Sequence, residues 1–222
     1  MLYSRELCIL SVGTSCQAEW QAHKNIELIA GITGIEHLTK RGTYLDYIIT
    51  QPGCVIEWLR EGGPAIPPLE ELYIHGGRPR WDRYGFHFWH DFPRQEGSLE
   101  MIRENYENFI SKRAHVRKNF DLAGRAKKLI VLWSNLQNNI HNGYIPEVCL
   151  DPVDYGVLMA LKQEVARFFD RDIEFVVTTR PDRIVNPPAA DDGLVIFEPD
   201  TSSWEGSDSQ WTALFKRLLG AG

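Results

Sequence analysis

The residue best placed for covalent chemistry is a thiol at the junction of a strand and a helix. Cys16 follows the apolar run Leu7-Cys8-Ile9-Leu10-Ser11-Val12 and the turn Gly13-Thr14-Ser15, and a helical pattern continues from it to His23. The first turn of a helix presents unpaired backbone N–H groups and partial positive charge, which favours thiolate over thiol and lowers a cysteine pKa. The same N–H groups, from Ser15 to Gln17, are suited to hold the oxyanion that forms when a carbonyl is attacked. Gly13 lets the chain turn sharply. Gly13, Thr14, Ser15 and Gln17 therefore frame a candidate substrate-binding turn, with Cys16 as nucleophile.

Such a nucleophile needs a base and a group that orients the base. In open parallel sheets, ligands bind beyond the carboxyl ends of the strands, and polar residues follow each apolar run here. After the aromatic run Gly85-Phe86-His87-Phe88-Trp89 come His90 and Asp91. After Leu129 to Trp133 come Ser134 and Asn135, with Asn138, Asn139 and His141 close behind. After Ile173 to Val177 come Thr178, Thr179 and Arg180. If these strands are parallel neighbours, the residues share one edge. His90 is then the candidate base and Asn135 its orienter. Asp91 competes for that role, although as the immediate neighbour of His90 on an extended strand it points the other way. Thr179 and Arg180 are candidates for holding an anionic part of the substrate.

Plainer readings apply to the remaining chemistry-bearing residues. Free cysteines usually act as small buried hydrophobes, which is the expectation for Cys8, Cys54 and Cys149. His75, His87 and His141 read as surface or loop histidines. His87 and His90 fall on opposite faces of a strand, so no metal site is expected, and no cofactor motif is present. The run Lys112, Arg113, His115, Arg117 and Lys118 reads as the solvated face of a helix. Ser15 stands in a Gly-x-Ser turn, but no histidine follows His141 to complete a serine-esterase arrangement.

The elements that must position these residues read as strand, mixed region, then alternating strands and helices. Cys16 to His23, Tyr44 to Thr50 and Val55 to Arg60 read as short helices, the last two broken around Gln51-Pro52-Gly53. Ser98 is a good N-cap for a long helix reaching about Phe120. Asp151 with Pro152 at the first helical position opens another, with Val157, Leu161, Val165 and Phe168 as its apolar stripe. Ser207-x-x-Gln210 resembles a capping box before a last helix carrying Trp211, Leu214, Phe215 and Leu218. The apolar runs at 7–12, 129–133, 173–177 and 194–197 barely alternate, as strands buried on both faces do. The pattern predicts one α/β domain over residues 1–222, with a mostly parallel sheet covered by helices on both faces. Residues 31–84 read as an elaborated insertion after the first strand.

Composition narrows the function classes. Of the 222 residues, 43% are hydrophobic and 24% charged, enough for a sizeable core without a disulfide or metal staple. The net charge of −6 is poorly suited to nucleic acid or an anionic membrane. Four widely spaced cysteines point to a reducing, cytoplasmic setting. The start Met1 to Glu6 is followed by too short an apolar run for a leader peptide, and no stretch reaches membrane-spanning length.

Leu10-Ser11-Val12-Gly13-Thr14-Ser15-Cys16-Gln17 resembles the serine–leucine–glycine–x–x–cysteine opening of a bacterial family of uncharacterised domains described as papain-like cysteine peptidases. Tyr44-Leu45-Asp46-Tyr47-Ile48 falls where that family has proline–phenylalanine–aspartate–tryptophan, keeping the aspartate and replacing proline and tryptophan by Tyr44 and Tyr47. His90-Asp91-Phe92 matches its histidine–aspartate–phenylalanine motif. The likeness covers roughly residues 7–135. It implies a Cys16–His90 dyad with Asn135, Asp46 or Asp91 as third member, and a papain-like α+β fold with an antiparallel sheet as the alternative architecture.

The leading expectation is a cysteine-nucleophile hydrolase or acyltransferase acting on the acyl or amide bond of a small molecule or peptide. One alternative is a transferase binding a nucleotide or sugar-nucleotide at the strand ends through Thr179, Arg180 and the basic run, although no phosphate loop is present. Another is a non-catalytic interaction domain, for which Trp81 with Tyr84, and Trp204 with Trp211, are the candidate contact residues.

Overall fold

A computed structural model describes residues 1–14, 16–93, 97–137, 152–190, 193–200 and 203–220. The chain runs β1 (Leu2–Tyr3), β2 (Leu7–Ser11), α1 (Gln17–Lys24), α2 (Ile26–Thr33), β3 (Thr39–Lys40), β4 (Ile48–Ile49), α3 (Pro52–Arg60), β5 (Leu72–His75), β6 (Arg78–Trp81), β7 (Phe86–Phe88) and α4 (Leu99–Ala123). It continues through β8 (Lys128–Ser134), β9 (Val153–Asp154), α5 (Tyr155–Phe169), β10 (Glu174–Thr179), β11 (Ile184–Val185), β12 (Leu194–Ile196) and α6 (Asp208–Gly220).

The main sheet has the order β12-β10-β8-β2-β1-β3. Its central pairings, β2 with β8, β8 with β10 and β10 with β12, are parallel. The short strands β1 and β3 add an antiparallel edge. All five residues of β2 are buried, as the unalternating apolar run requires. Successive side chains of a strand point to opposite faces, and the core divides accordingly. Cys8, Leu10, Leu129, Val131, Trp133, Phe175 and Val177 join the core that also holds Trp58 of α3, Phe109 and Phe120 of α4, and Leu158 and Leu161 of α5. Leu7, Ile9, Ile130, Leu132 and Val176 join a second core with Ala18 and Ala22 of α1, Ile29 of α2, and Trp211 and Phe215 of α6. The architecture is α/β, with a mostly parallel sheet and helices packed on both faces. Among the described residues no helix is long and apolar enough to cross a membrane.

A second sheet, β4-β7-β6-β5, is antiparallel throughout. It corrects three expectations. The aromatic strand is not part of the parallel sheet, because β7 pairs with β4 and β6. Residues 44–50 do not form a helix: Asp46 Oδ2 accepts the Thr43 N–H at 2.5 Å, closing a turn, and Ile48–Ile49 then pair with Phe88 and His87. The antiparallel strands extend to Phe88, beyond the expected limit at residue 84.

Helix starts also differ in detail. α3 begins at Pro52 itself, with proline in its favoured first-turn position. Ser98 caps α4, accepting the Met101 N–H at 3.0 Å. Asp151 lies outside the described residues, and α5 is capped instead by Asp154, whose Oδ1 accepts the Gly156 N–H at 2.7 Å. The capping box before α6 is half made. Ser207 Oγ accepts the Gln210 N–H at 3.5 Å, but the Gln210 side chain bonds Glu198 backbone at 2.8 and 3.1 Å. Trp81, Tyr84 and Trp211, read as candidate contact residues, are buried.

His87 corrects the surface-histidine reading. It lies fully buried in β7, opposite Arg80 and Ile49. Burial, then the neighbouring Arg80 and His75, pull its pKa down to about 3. Unfolded, it takes a proton near pH 6.5; folded, it stays neutral until far lower. The stability it contributes is therefore present above pH 6.5 and lost as pH falls toward 3, about tenfold in the folding equilibrium per pH unit. Urea midpoints measured from pH 7 to pH 4 should fall less steeply in His87→Phe than in wild type. Equal slopes would assign the acid sensitivity elsewhere.

Candidate active site

The turn after β2 is stitched to the end of β8. Val12 N–H donates to Leu132 C=O at 2.9 Å and Thr14 N–H to Ser134 C=O at 3.2 Å. Gly13 is required by this approach, since a Cβ there would stand 2.8 Å from the Ser134 backbone nitrogen. Cys16 thus sits at the carboxyl edge of the parallel sheet, as N-cap of α1, with its carbonyl accepting the Trp20 N–H at 3.0 Å. Ser15, one expected oxyanion donor, lies outside the described residues, as do Asn138, Asn139, His141 and Cys149. Thr50 N–H donates to Thr14 C=O at 3.3 Å, so the segment after β4 straps the antiparallel sheet to this turn.

The electrostatics around Cys16 oppose the helix N-terminus. Burial, then the Glu19 carboxylate, and more weakly Asp46, push the thiol up to about 12, against a lowering backbone hydrogen bond. Cys16 is a neutral thiol in this state, not the thiolate expected from its position on the helix alone. Glu19, one turn into α1, is buried and lies 2.9 Å from His23 Nδ1. The Asp46 carboxylate is wholly buried and pairs with the Met1 ammonium at 3.2 Å. Glu19→Gln should therefore speed iodoacetamide alkylation of Cys16 at pH 8, roughly threefold to tenfold, because a like charge disfavours thiolate. Peptide mass mapping reads it, and an unchanged rate would remove Glu19 from the account.

Tyr47 lies beside His90. Its phenol is raised to about 12 by burial, then Glu19, Asp46 and Cys16. Its ring packs edge-on against His90, with centroids 5.5 Å apart. Its φ of +67° is left-handed. For a bulky residue this costs about 1–3 kcal/mol and persists only where the surroundings enforce it. Here the Asp46 turn and the β4–β7 pairing enforce it. Glu19 and Tyr47 were not among the expected site residues. The spacing of Glu19, three after Cys16 on a helix, was the available signal for one, and the aromatic position after Asp46 was the signal for the other.

The other expected residues divide. His90 is half-buried on the loop after β7, and its carbonyl accepts from Lys112 Nζ at 3.1 Å. The Asp91 carboxylate is given over to α4, pairing with the Arg113 guanidinium and with Lys112 Nζ at 2.8 Å. Asn135 follows Ser134 at the same edge. Its side-chain N–H donates to Arg183 C=O at 3.0 Å, and its buried Oδ1 has no hydrogen-bond partner among the described residues. The Gln17 side chain is taken up by the chain near Trp204, with Nε2 donating to Trp204 C=O at 2.7 Å. The Thr179 hydroxyl donates to Arg180 C=O at 3.4 Å, and Arg180 forks onto Asp182 with two bonds of 2.9 Å. Much of the charge expected to hold an anion is thus balanced by Asp182. Compared with known proteins, the chain matches no family model, no curated protein and no solved structure.

Proposed function

We propose that the protein is a cysteine-nucleophile hydrolase or acyltransferase that opens an acyl or amide bond of a small molecule or peptide, with Cys16 as nucleophile and His90 as base. The observation that supports this reading is that Cys16 follows a turn at the carboxyl edge of the parallel sheet which Thr50 straps to the antiparallel sheet, and that His90, packed against Tyr47, follows β7 of that second sheet. A neutral thiol must lose its proton as it attacks, which is the task of a general base. The Cys16 sulfur bonds to the carbonyl carbon while its proton passes to His90. N–H groups at the start of α1 face the oxyanion. Collapse breaks the bond to the leaving group, which takes the proton from His90. Water or another acceptor then attacks the thioester, and the thiol is restored. A reducing, cytoplasmic setting fits chemistry that needs a free thiol.

The test is a panel of p-nitrophenyl esters, anilides and acyl thioesters, with the acyl adduct located by mass mapping. Wild type should carry the acyl group on Cys16. Cys16→Ala should abolish turnover, and His90→Ala should lower it by roughly 10²–10⁴-fold with the fold intact by circular dichroism. Full turnover in Cys16→Ala ends the proposal.

A further inference from the structure

Trp20 is a large apolar side chain left 43% exposed. It stands one helical turn after Cys16, and its N–H bonds the Cys16 carbonyl. Helical side chains lean toward the N-terminus, the direction in which the turn at Cys16 lies from Trp20. The half-buried Trp204 is brought against it from far along the chain, ring centroids 5.4 Å apart and tilted by 52°. That placement is built from several contacts on one face of α1. Gln17 Nε2 donates to Trp204 C=O at 2.7 Å, Gln21 Nε2 to Glu205 C=O at 2.8 Å, and Lys24 pairs with Glu205 and Asp208 at 3.2 and 2.7 Å. Gly206, at φ +75°, lets the chain pass close to Gln17.

The segment that carries Trp204 is therefore anchored beside the nucleophile while the indole pair stays partly open to solvent. Two adjoining indoles offer a planar, apolar surface, and such surfaces bind aromatic or aliphatic groups. The charges nearby are acidic or already paired: Glu19 and Asp46 beside the thiol, and Glu205 and Asp208 with Lys24. An anionic group is repelled there. We propose that Trp20 and Trp204 form the acyl-side subsite of the Cys16 centre and select an uncharged aromatic or apolar acyl group. This rests on the reading of Cys16 as the nucleophile.

The experiment compares N-ethylmaleimide with N-benzylmaleimide on the full chain. Rates of the Cys16 adduct are read by peptide mass mapping and normalised to the rates with glutathione. Wild type should favour the benzyl probe by about tenfold. Trp20→Ala and Trp204→Ala should bring the benzyl-to-ethyl rate ratio close to one, and Trp20→Phe should retain most of the preference. A second readout omits the thiol. N-benzylacetamide should shift the tryptophan fluorescence of Cys16→Ser, and Trp20→Ala in that background should lose the shift. Equal probe rates in wild type together with no fluorescence shift, or a preference that survives both alanine variants, overturns the subsite. A benzyl preference in a protein that turns over no ester or thioester leaves the subsite standing and removes the catalytic reading. Turnover with neither a benzyl preference nor a fluorescence shift does the reverse.

Discussion

Arg113→Ala is expected to cost about 3–5 kcal/mol of folding stability, which for a chain of this size lowers Tm by roughly 10 °C. Arg113 sits in the run that reads as a solvated face, yet it is 1% exposed. Its guanidinium lies over the rings of Tyr44, Phe88 and Phe109, at 5.2, 4.9 and 5.7 Å from their centroids. Nη1 donates to Tyr44 C=O at 2.7 Å, and Nη2 pairs with Asp91. Burial pulls its pKa down to about 10, which still leaves it charged at neutral pH. One side chain thus ties α4, the Tyr44–Tyr47 turn and the His90-Asp91 loop together. Truncation leaves the wholly buried Asp91 carboxylate with Lys112 as its remaining ion-pair partner among the described residues. An uncompensated buried charge is the costly outcome, whereas replacing both partners by neutral groups is mild. Arg113→Met combined with Asp91→Asn should therefore recover much of the loss. Urea denaturation measures both. A loss under 1 kcal/mol in Arg113→Ala would show that the pair is not what holds the loop.

The second large effect is on thiol reactivity. With its pKa pushed up to about 12, Cys16 should alkylate at pH 8 about a thousandfold more slowly than a free cysteine of pKa about 8.5. Its rate should climb about tenfold per pH unit through pH 10 without levelling. Cys8 is buried and raised to about 12 as well. In both thiols the folded value exceeds the unfolded one, so their contribution to stability is complete below about pH 8.5. It is lost as pH rises toward 12, roughly tenfold in the folding equilibrium per pH unit for each thiol. Urea midpoints from pH 8 to pH 10 should fall, and Cys16→Ala should flatten the fall. A rate profile that levels near pH 8.5 or below would mean that burial, with Glu19 and Asp46, does not hold the thiol protonated in solution. It would also remove the need for His90 to act during attack.

The sequence by itself determined the local elements and the edge at which they end. Unalternating apolar runs marked β2, β8 and β10, helical periodicity marked α4 to within a turn, and Ser98 marked its start, because burial on one or both faces is written in residue spacing. The position of Cys16 at the β2–α1 junction followed from the same local signals. Partnership did not. The aromatic strand β7 has the same composition whether it joins a parallel or an antiparallel sheet, and only its register with β4 and β6 put it in the antiparallel one, where His90 packs against Tyr47. Asp91, Gln17 and Arg180 were expected near the chemistry because of the strands they follow. Their side chains are fixed instead by Arg113, Trp204 and Asp182. The ionisation of Cys16 depends on burial, on a carboxylate one turn away and on another thirty residues distant, and desolvation with through-space charge outweighs the helix N-terminus that adjacency alone suggests. Trp204 reaches Trp20 only because Gln17, Gln21 and Lys24 hold its segment. Residue spacing records which face of an element is covered; only the tertiary structure decides what covers it, and with it the charge on the thiol and the surface beside it.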